Sequence, residues 1–201
     1  VAAIRAAGGT ADFVRADLDD VTSVRALAKE ALALGGHVDV LINNAGVFPF
    51  APTAEVQAED FDSVFAVNVR APFYLVAELA PLMAERGHGS IINLTTMVAN
   101  YGQAGMALYG SSKAALQLLT KSWAAEFGPF GVRVNAVSPG PTHTEGTAEM
   151  GDALGDLAAT GPLNRVGTAA EVATGIVFLA SDAAAMIHGT TLPIDGGRLA
   201  V

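Results

Sequence analysis

The chain has 201 residues, 51% hydrophobic and 15% charged, with a formal net charge of −9 and no cysteine. That composition excludes a disordered tail and a disulfide-stapled secreted module. Three lysines (Lys29, Lys113, Lys121) and no basic run offer no footprint to phosphates, so no nucleic-acid partner is expected. Charge interrupts each apolar run before the ~18–20 residues of a membrane helix, and no signal-peptide pattern opens the chain, so no membrane partner and a cytoplasmic location are expected.

Residues 1–9 predict a short helix with Val1 and Ile4 on one face and Gly8 or Gly9 as its stop. No start signal precedes it, so the chain reads either as a native terminal helix or as one entered partway along. Ala11–Asp17, with Phe13 and Val14, is the first strand expected. Asp19 and Asp20 offer N-caps to a helix with apolar spacing at Val21, Val24, Leu27, Ala28 and Ala31, stopped by Gly35–Gly36. Val38–Ile42 suits a buried parallel strand and breaks at Asn43–Asn44–Ala45–Gly46. A long helical stretch, about Ala58 to Arg86, carries Pro72 and Pro81, which kink or divide it.

Gly89–Leu94 is the next buried strand, followed by a loop with Gly102 and Gly105 and a helix over about Leu108 to Phe127. Arg133–Val137 is another strand, ending at Ser138–Pro139–Gly140. Residues 141–161 show no clean periodicity. A helix over about Ala169 to Leu179, with Thr168 as its N-cap, precedes a last strand at Thr191–Ile194. Alternating strands and helices predict one α/β domain over 1–201 with a mostly parallel sheet.

Tyr109 and Lys113 stand one helical turn apart and project from one face. A phenol ordinarily titrates near 10, and a neighbouring ammonium favours the phenolate. Such a phenol can give a proton to a carbonyl or take one from an alcohol. Random placement of three tyrosines and three lysines in 201 residues gives only about 0.05 such pairs. No histidine pairs with another His, Cys or carboxylate at ligand spacing, so no metal is expected. Ser111 and Ser112 have no adjacent base to make a nucleophile. His143, beside Thr144, is placed at the substrate side, and Met150, Leu154 and Leu157 suggest either an apolar wall or a helix packed on the core.

Taken in order, Asn43–Asn44–Ala45–Gly46, Val67–Asn68–Val69, Tyr109–Gly–Ser–Ser–Lys113, Asn135–Ala–Val–Ser–Pro139–Gly140, Pro162–Leu–Asn–Arg–Val–Gly167, Phe178–Leu–Ala–Ser–Asp182 and Asp195–Gly196–Gly197 resemble the short-chain dehydrogenase/reductase family. The resemblance spans almost the whole chain. It implies a Rossmann-like doubly wound parallel sheet, NAD or NADP as cofactor, a small carbonyl or alcohol substrate, and a homotetramer or homodimer formed through the tyrosine helix and the C-terminal strand. It casts Tyr109 as general acid/base and Lys113 as holding the nicotinamide ribose and lowering the tyrosine pKa. Asn68 is implied to help place a water in the proton relay. The family's serine position is Thr96 here, which keeps a hydroxyl but adds a methyl group. Thr95 is the alternative bearer of that role, though in an extended strand it faces the other way. For the cofactor, the resemblance implies Asp17 and Leu18 at the adenine, Asn44, Ala45 and Gly46 along the backbone, and Pro139, Gly140, Thr142 and Thr144 beside the nicotinamide.

The family's Thr-Gly-x-x-x-Gly-x-Gly turn has no counterpart in this sequence. By comparison with the family, roughly the first 45 to 55 residues are absent, which would remove the first two strands and the glycine-rich phosphate loop. Those strands would lie beside Val38–Ile42, leaving an apolar sheet edge there. Two readings follow: a piece of a longer oxidoreductase, or a catalytically silent remnant that acts by subunit association.

Overall fold

The computed structural model describes all 201 residues. The chain opens on α1 (Ala2–Ala6), which buries no residue and ends at Gly8 with φ +85°. Residues 11–17 form no strand, contrary to expectation. A strand's backbone groups need a neighbouring ladder, and none lies beside them. Their contacts are local instead: Arg5 donates to the Ala11 carbonyl at 2.8 Å and pairs with Asp12 at 2.9 Å, and Phe13 is 77% exposed. The Asp20 carboxylate caps α2 (Val21–Gly35), accepting from the Thr22 and Ser23 N–H groups at 2.9 and 3.3 Å.

After β1 (Val40–Asn43), α3 (Ala58–Phe65) runs through a π-helical segment, Ala66–Arg70, into α4 (Ala71–Arg86). Pro72 accounts for the division. It has no N–H for the carbonyl of residue 68, and its ring crowds that carbonyl. The Ala71 N–H reaches back to Ala66 instead, the five-residue spacing of a π turn. Pro81 lies within α4 without ending it. The 58–86 run is long and apolar enough to cross a membrane, and its Val64, Ala66, Val76, Ala80 and Met83 are buried inside the fold.

The remaining elements are β2 (Gly89–Leu94), α5 (Ala107–Phe127), β3 (Val132–Pro139), the two-residue β4 (Thr142–His143), α6 (Asp152–Ala158), the two-residue β5 (Gly167–Thr168), α7 (Ala169–Ala180) and β6 (Thr191–Ile194). β1, β2, β3 and β6 form one parallel sheet in that order, and β4 pairs with β5. Alternation along β2 divides the core. Ile91 packs with Met83, Leu116, Trp123 and Val134 under α4 and α5, whereas Ile92 packs with Val137, Val172 and Leu179 under α7. Helices thus cover both faces, the arrangement a parallel sheet requires.

Buried polar groups tie the layers together. Asn43 donates to Asn93 at 2.8 Å, Asn93 to Thr120 at 2.9 Å, and Thr120 to the Leu116 carbonyl at 2.8 Å, a chain from β1 through β2 into α5. His188 accepts from the Val134 N–H at 3.2 Å and donates to the Ala124 carbonyl at 2.7 Å, holding the end of α5 to β3. At the outer side of the sheet, Val40 and Ile42 of β1 are 41% and 45% exposed, the apolar edge expected.

Candidate active site

The C-terminal ends of β1, β2 and β3 open onto a cleft of about 410 Å³. Ligand clefts in open parallel sheets lie at these strand ends. β2 runs out into Thr95 and Thr96, and the short turn Met97–Ala99 follows. α5 starts opposite and approaches this turn closely at Gly110, where a Cβ would stand 2.9 Å from the Val98 carbonyl oxygen. That approach brings Tyr109 to Thr96.

Of the two adjacent threonines, Thr96 faces the tyrosine. The Thr95 hydroxyl is taken by β3, donating to the Val137 carbonyl at 3.0 Å. Burial pushes the Tyr109 hydroxyl above its ordinary value, and the Thr96 hydroxyl pulls it partway back. Lys113, one turn further along α5, is 3% exposed and donates to the Leu94 carbonyl at 2.9 Å. Burial brings its amine down to about 8. The expectation that Lys113 lowers the tyrosine pKa is therefore corrected: loss of water dominates at both groups, and the local aid to the phenolate is Thr96.

Asn68 is fully buried in the π segment, behind the cleft rather than in its wall. Its amide donates to the Val47 carbonyl at 2.8 Å and to Ser112 Oγ at 3.0 Å, and its Oδ1 accepts from the Val47 N–H at 2.9 Å. Ser112 in turn donates to the Tyr109 carbonyl at 2.7 Å. Ser112 and Gly110 are positioning residues that sequence reasoning missed. The available signal was the run of small residues between Tyr109 and Lys113.

Gly46 lies over this group. A Cβ there would stand 3.1 Å from Lys113 Nζ and 3.2 Å from Asn68 Oδ1. Gly140 has a different reason: its Cβ would stand 2.7 Å from the Asp195 Cα, so glycine lets the ends of β3 and β6 meet. Asn44, Gly46, Thr96, Tyr109, Lys113, Pro139, Gly140, Thr142 and Thr144 all border the one cleft. Ala45, Asp17 and Leu18 do not. Asp17 is used locally: its carboxylate accepts from the Asp19 N–H at 3.0 Å, an Asx turn leading into α2. His143 is exposed and faces away, because Thr142, its neighbour in β4, takes the inward position.

The residues present fit a nicotinamide cofactor at this end of the cleft. Lys113 has three donors and gives one to Leu94, leaving two for vicinal hydroxyls, and Gly46 leaves open the space above it.

The family model described as enoyl-(acyl carrier protein) reductase matches residues 1–198. The 2,5-dichloro-2,5-cyclohexadiene-1,4-diol dehydrogenase of Sphingobium indicum is 38% identical over 98% of this chain and 79% of its own length. A solved structure of a short chain dehydrogenase/reductase family protein is 46% identical, with a TM-score of 0.90, over 100% of this chain and 82% of that one. The gluconate 5-dehydrogenase from Burkholderia cenocepacia, solved with NADP and tartrate, superposes with a TM-score of 0.94 at 32% identity, over 100% of this chain and 80% of that one. The chain belongs to the short-chain dehydrogenase/reductase family of NAD(P)-dependent oxidoreductases.

Proposed function

We propose that the protein interconverts a secondary alcohol and a carbonyl on a small molecule, with Tyr109 as the proton-transferring group. The observation that carries this reading is the half-buried Tyr109 phenol bordering the cleft, with the Thr96 hydroxyl beside it and Lys113 one turn away. Bound NAD or NADP supplies the hydride donor or acceptor. Thr96 and the Tyr109 hydroxyl hydrogen-bond the substrate oxygen and orient its carbon toward the Pro139–Gly140 side. In reduction the Tyr109 O–H gives its proton to the developing alkoxide. In oxidation the phenolate takes the alcohol proton. Lys113 would hold the ribose hydroxyls of the bound cofactor with the donors that Leu94 leaves over. Asn68 acts through Val47 and Ser112, keeping both walls of the site in register.

The test is Tyr109→Phe. The ring and its packing on Phe48, 6.0 Å between centroids, are kept while the proton is lost. Turnover should fall by about 10²-fold or more with thermal stability retained. Unchanged turnover would overturn the assignment.

We also propose that two further parallel strands and a glycine-rich phosphate turn sit beside β1 in the native protein, as part of the same domain. Support comes from the exposed Val40 and Ile42 on that edge and from the relatives' greater length. Intact mass of the protein from its source tests this. A mass matching this chain alone would refute it.

A further inference from the structure

The walls of the cleft carry a second message, which rests on the Tyr109 reading. They are apolar and come from three elements: Phe48 after β1, Met97 and Met106 between β2 and α5, and Met150 and Leu154 at α6. Three of the five methionines in the sequence border this one cleft. Met83 lies in the core and Met186 is 96% exposed. Methionine is flexible and polarizable, and it adapts to apolar shapes.

Charge is scarce in the lining. No Asp, Glu, Arg or His borders the cleft, and its one cation, Lys113, gives one donor to the Leu94 carbonyl and would keep the other two for the cofactor. Its threonine hydroxyls on the α6 side are engaged. Thr142 donates to the Gly140 carbonyl at 2.9 Å, Thr147 donates to the Thr142 carbonyl at 2.8 Å, and Thr144 and Thr147 share a contact at 3.1 Å. On the α5 side the Gln103 amide makes no hydrogen bond within the chain and borders the cleft. The segment over 141–158 that supplies Met150 and Leu154 carries Glu145, Glu149, Asp152 and Asp156, all exposed, and no Lys or Arg. An anionic substrate would lose its hydration without gaining a cation, and it would meet a negative rim.

We propose that the site takes uncharged, compact apolar ketones and secondary alcohols, alicyclic ones included, and rejects sugar acids and acyl groups carried on phosphate-bearing or acidic carriers. Gln103 gives the site one neutral hydrogen-bonding anchor, enough for a single further hydroxyl or carbonyl on the ring.

The experiment labels the methionine methyl groups of the whole protein with ¹³C and titrates it with cyclohexanone and, separately, with gluconate. Cyclohexanone should shift the Met97, Met106 and Met150 signals and leave Met83 and Met186 in place, and gluconate should shift none. Shifts by gluconate at those three methyls, or their indifference to cyclohexanone, would overturn the proposal. In parallel, oxidation of cyclohexanol and gluconate is followed with NAD and with NADP. A preference for cyclohexanol of about 100-fold or more in kcat/KM is expected, and a preference for gluconate overturns it. Methyl shifts by cyclohexanone with no turnover of any alcohol would support the binding class while removing the oxidoreductase reading, so the two can fail separately. Met150→Arg provides the converse check, weakening cyclohexanone and admitting gluconate.

Discussion

Asn68 grips both polar groups of one peptide residue, accepting from the Val47 N–H at 2.9 Å and donating to the Val47 carbonyl at 2.8 Å. Its second amide hydrogen goes to Ser112, so each polar position of the side chain is used to join the loop after β1 to α5. The π turn enforced by Pro72 brings Asn68 to that place. Aspartate there keeps the acceptor, loses both donors and buries a charge. Asn68→Asp should lower stability by about 1–3 kcal/mol and reduce kcat at least about tenfold, read by thermal unfolding and steady-state kinetics. A variant with wild-type kcat would show that the grip on Val47 does not matter for the site.

Thr96 is the local aid to the Tyr109 phenolate. Thr96→Val removes the hydroxyl at nearly constant shape, so the tyrosine pKa should rise further. The rising limb of the pH–rate profile for alcohol oxidation should move to higher pH, and the rate at neutral pH should drop by about 10- to 100-fold. Thr96→Ser should restore the profile. A limb that stays in place after the valine change would remove Thr96 from the proton transfer.

Lys113 places a cost on the fold that reads out in pH. Its folded value is about 8 against an ordinary 10.5, so between those two values the unfolded chain binds the extra proton. Stability contributed at this site therefore rises as pH climbs from 8 to 10.5, and the burial cost is complete below 8. Lys113→Met should lose that slope and gain on the order of 1–3 kcal/mol at pH 7, offset in part by the Leu94 carbonyl left without its donor. Activity should be lost at the same time. Denaturant unfolding across pH 7 to 10 compares the two proteins; equal slopes would refute the buried-ammonium account.

Gly140 is a packing glycine at a strand end. A Cβ 2.7 Å from the Asp195 Cα has backbone in its way and no flexible side chain that could yield. Gly140→Ala should cost about 1–3 kcal/mol and loosen the contact between β3 and β6, where the Gly140 N–H donates to the Ile194 carbonyl at 3.0 Å. A melting temperature equal to wild type would contradict it.

Apolar side chains stand out on the helical faces away from the cleft: Phe73 on α4 is 45% exposed, Leu118 on α5 65% and Val177 on α7 67%. The family resemblance implies that another subunit covers the tyrosine helix, on which Leu118 lies. Sedimentation should give a dimer or tetramer, and Phe73→Glu with Leu118→Glu should shift it toward smaller species. A wild-type monomer at micromolar concentration would end the homo-oligomer expectation.

Periodicity and local chemistry made much of this protein legible before any coordinates. The amphipathic spacing of 21–31, the Asp20 and Thr168 caps and the strand patterns at 89–94 and 133–137 act within a few residues, so sequence alone places them. Tyr109 and Lys113 were legible as a pair because one helical turn suffices to align them. Long-range relations needed the fold. Residues 11–17 read as a strand by composition, yet a strand exists only where a neighbour completes its hydrogen bonds. The sense of the Tyr109 shift depends on how much water reaches it, which no spacing encodes. His143 reads as a substrate-side residue and turns away, because its orientation is set by the β4–β5 pairing. The work of Asn68, Ser112 and Gly140 is decided by residues 21 to 55 positions away in the chain, brought within hydrogen-bond or van der Waals distance only when the helices close over the sheet.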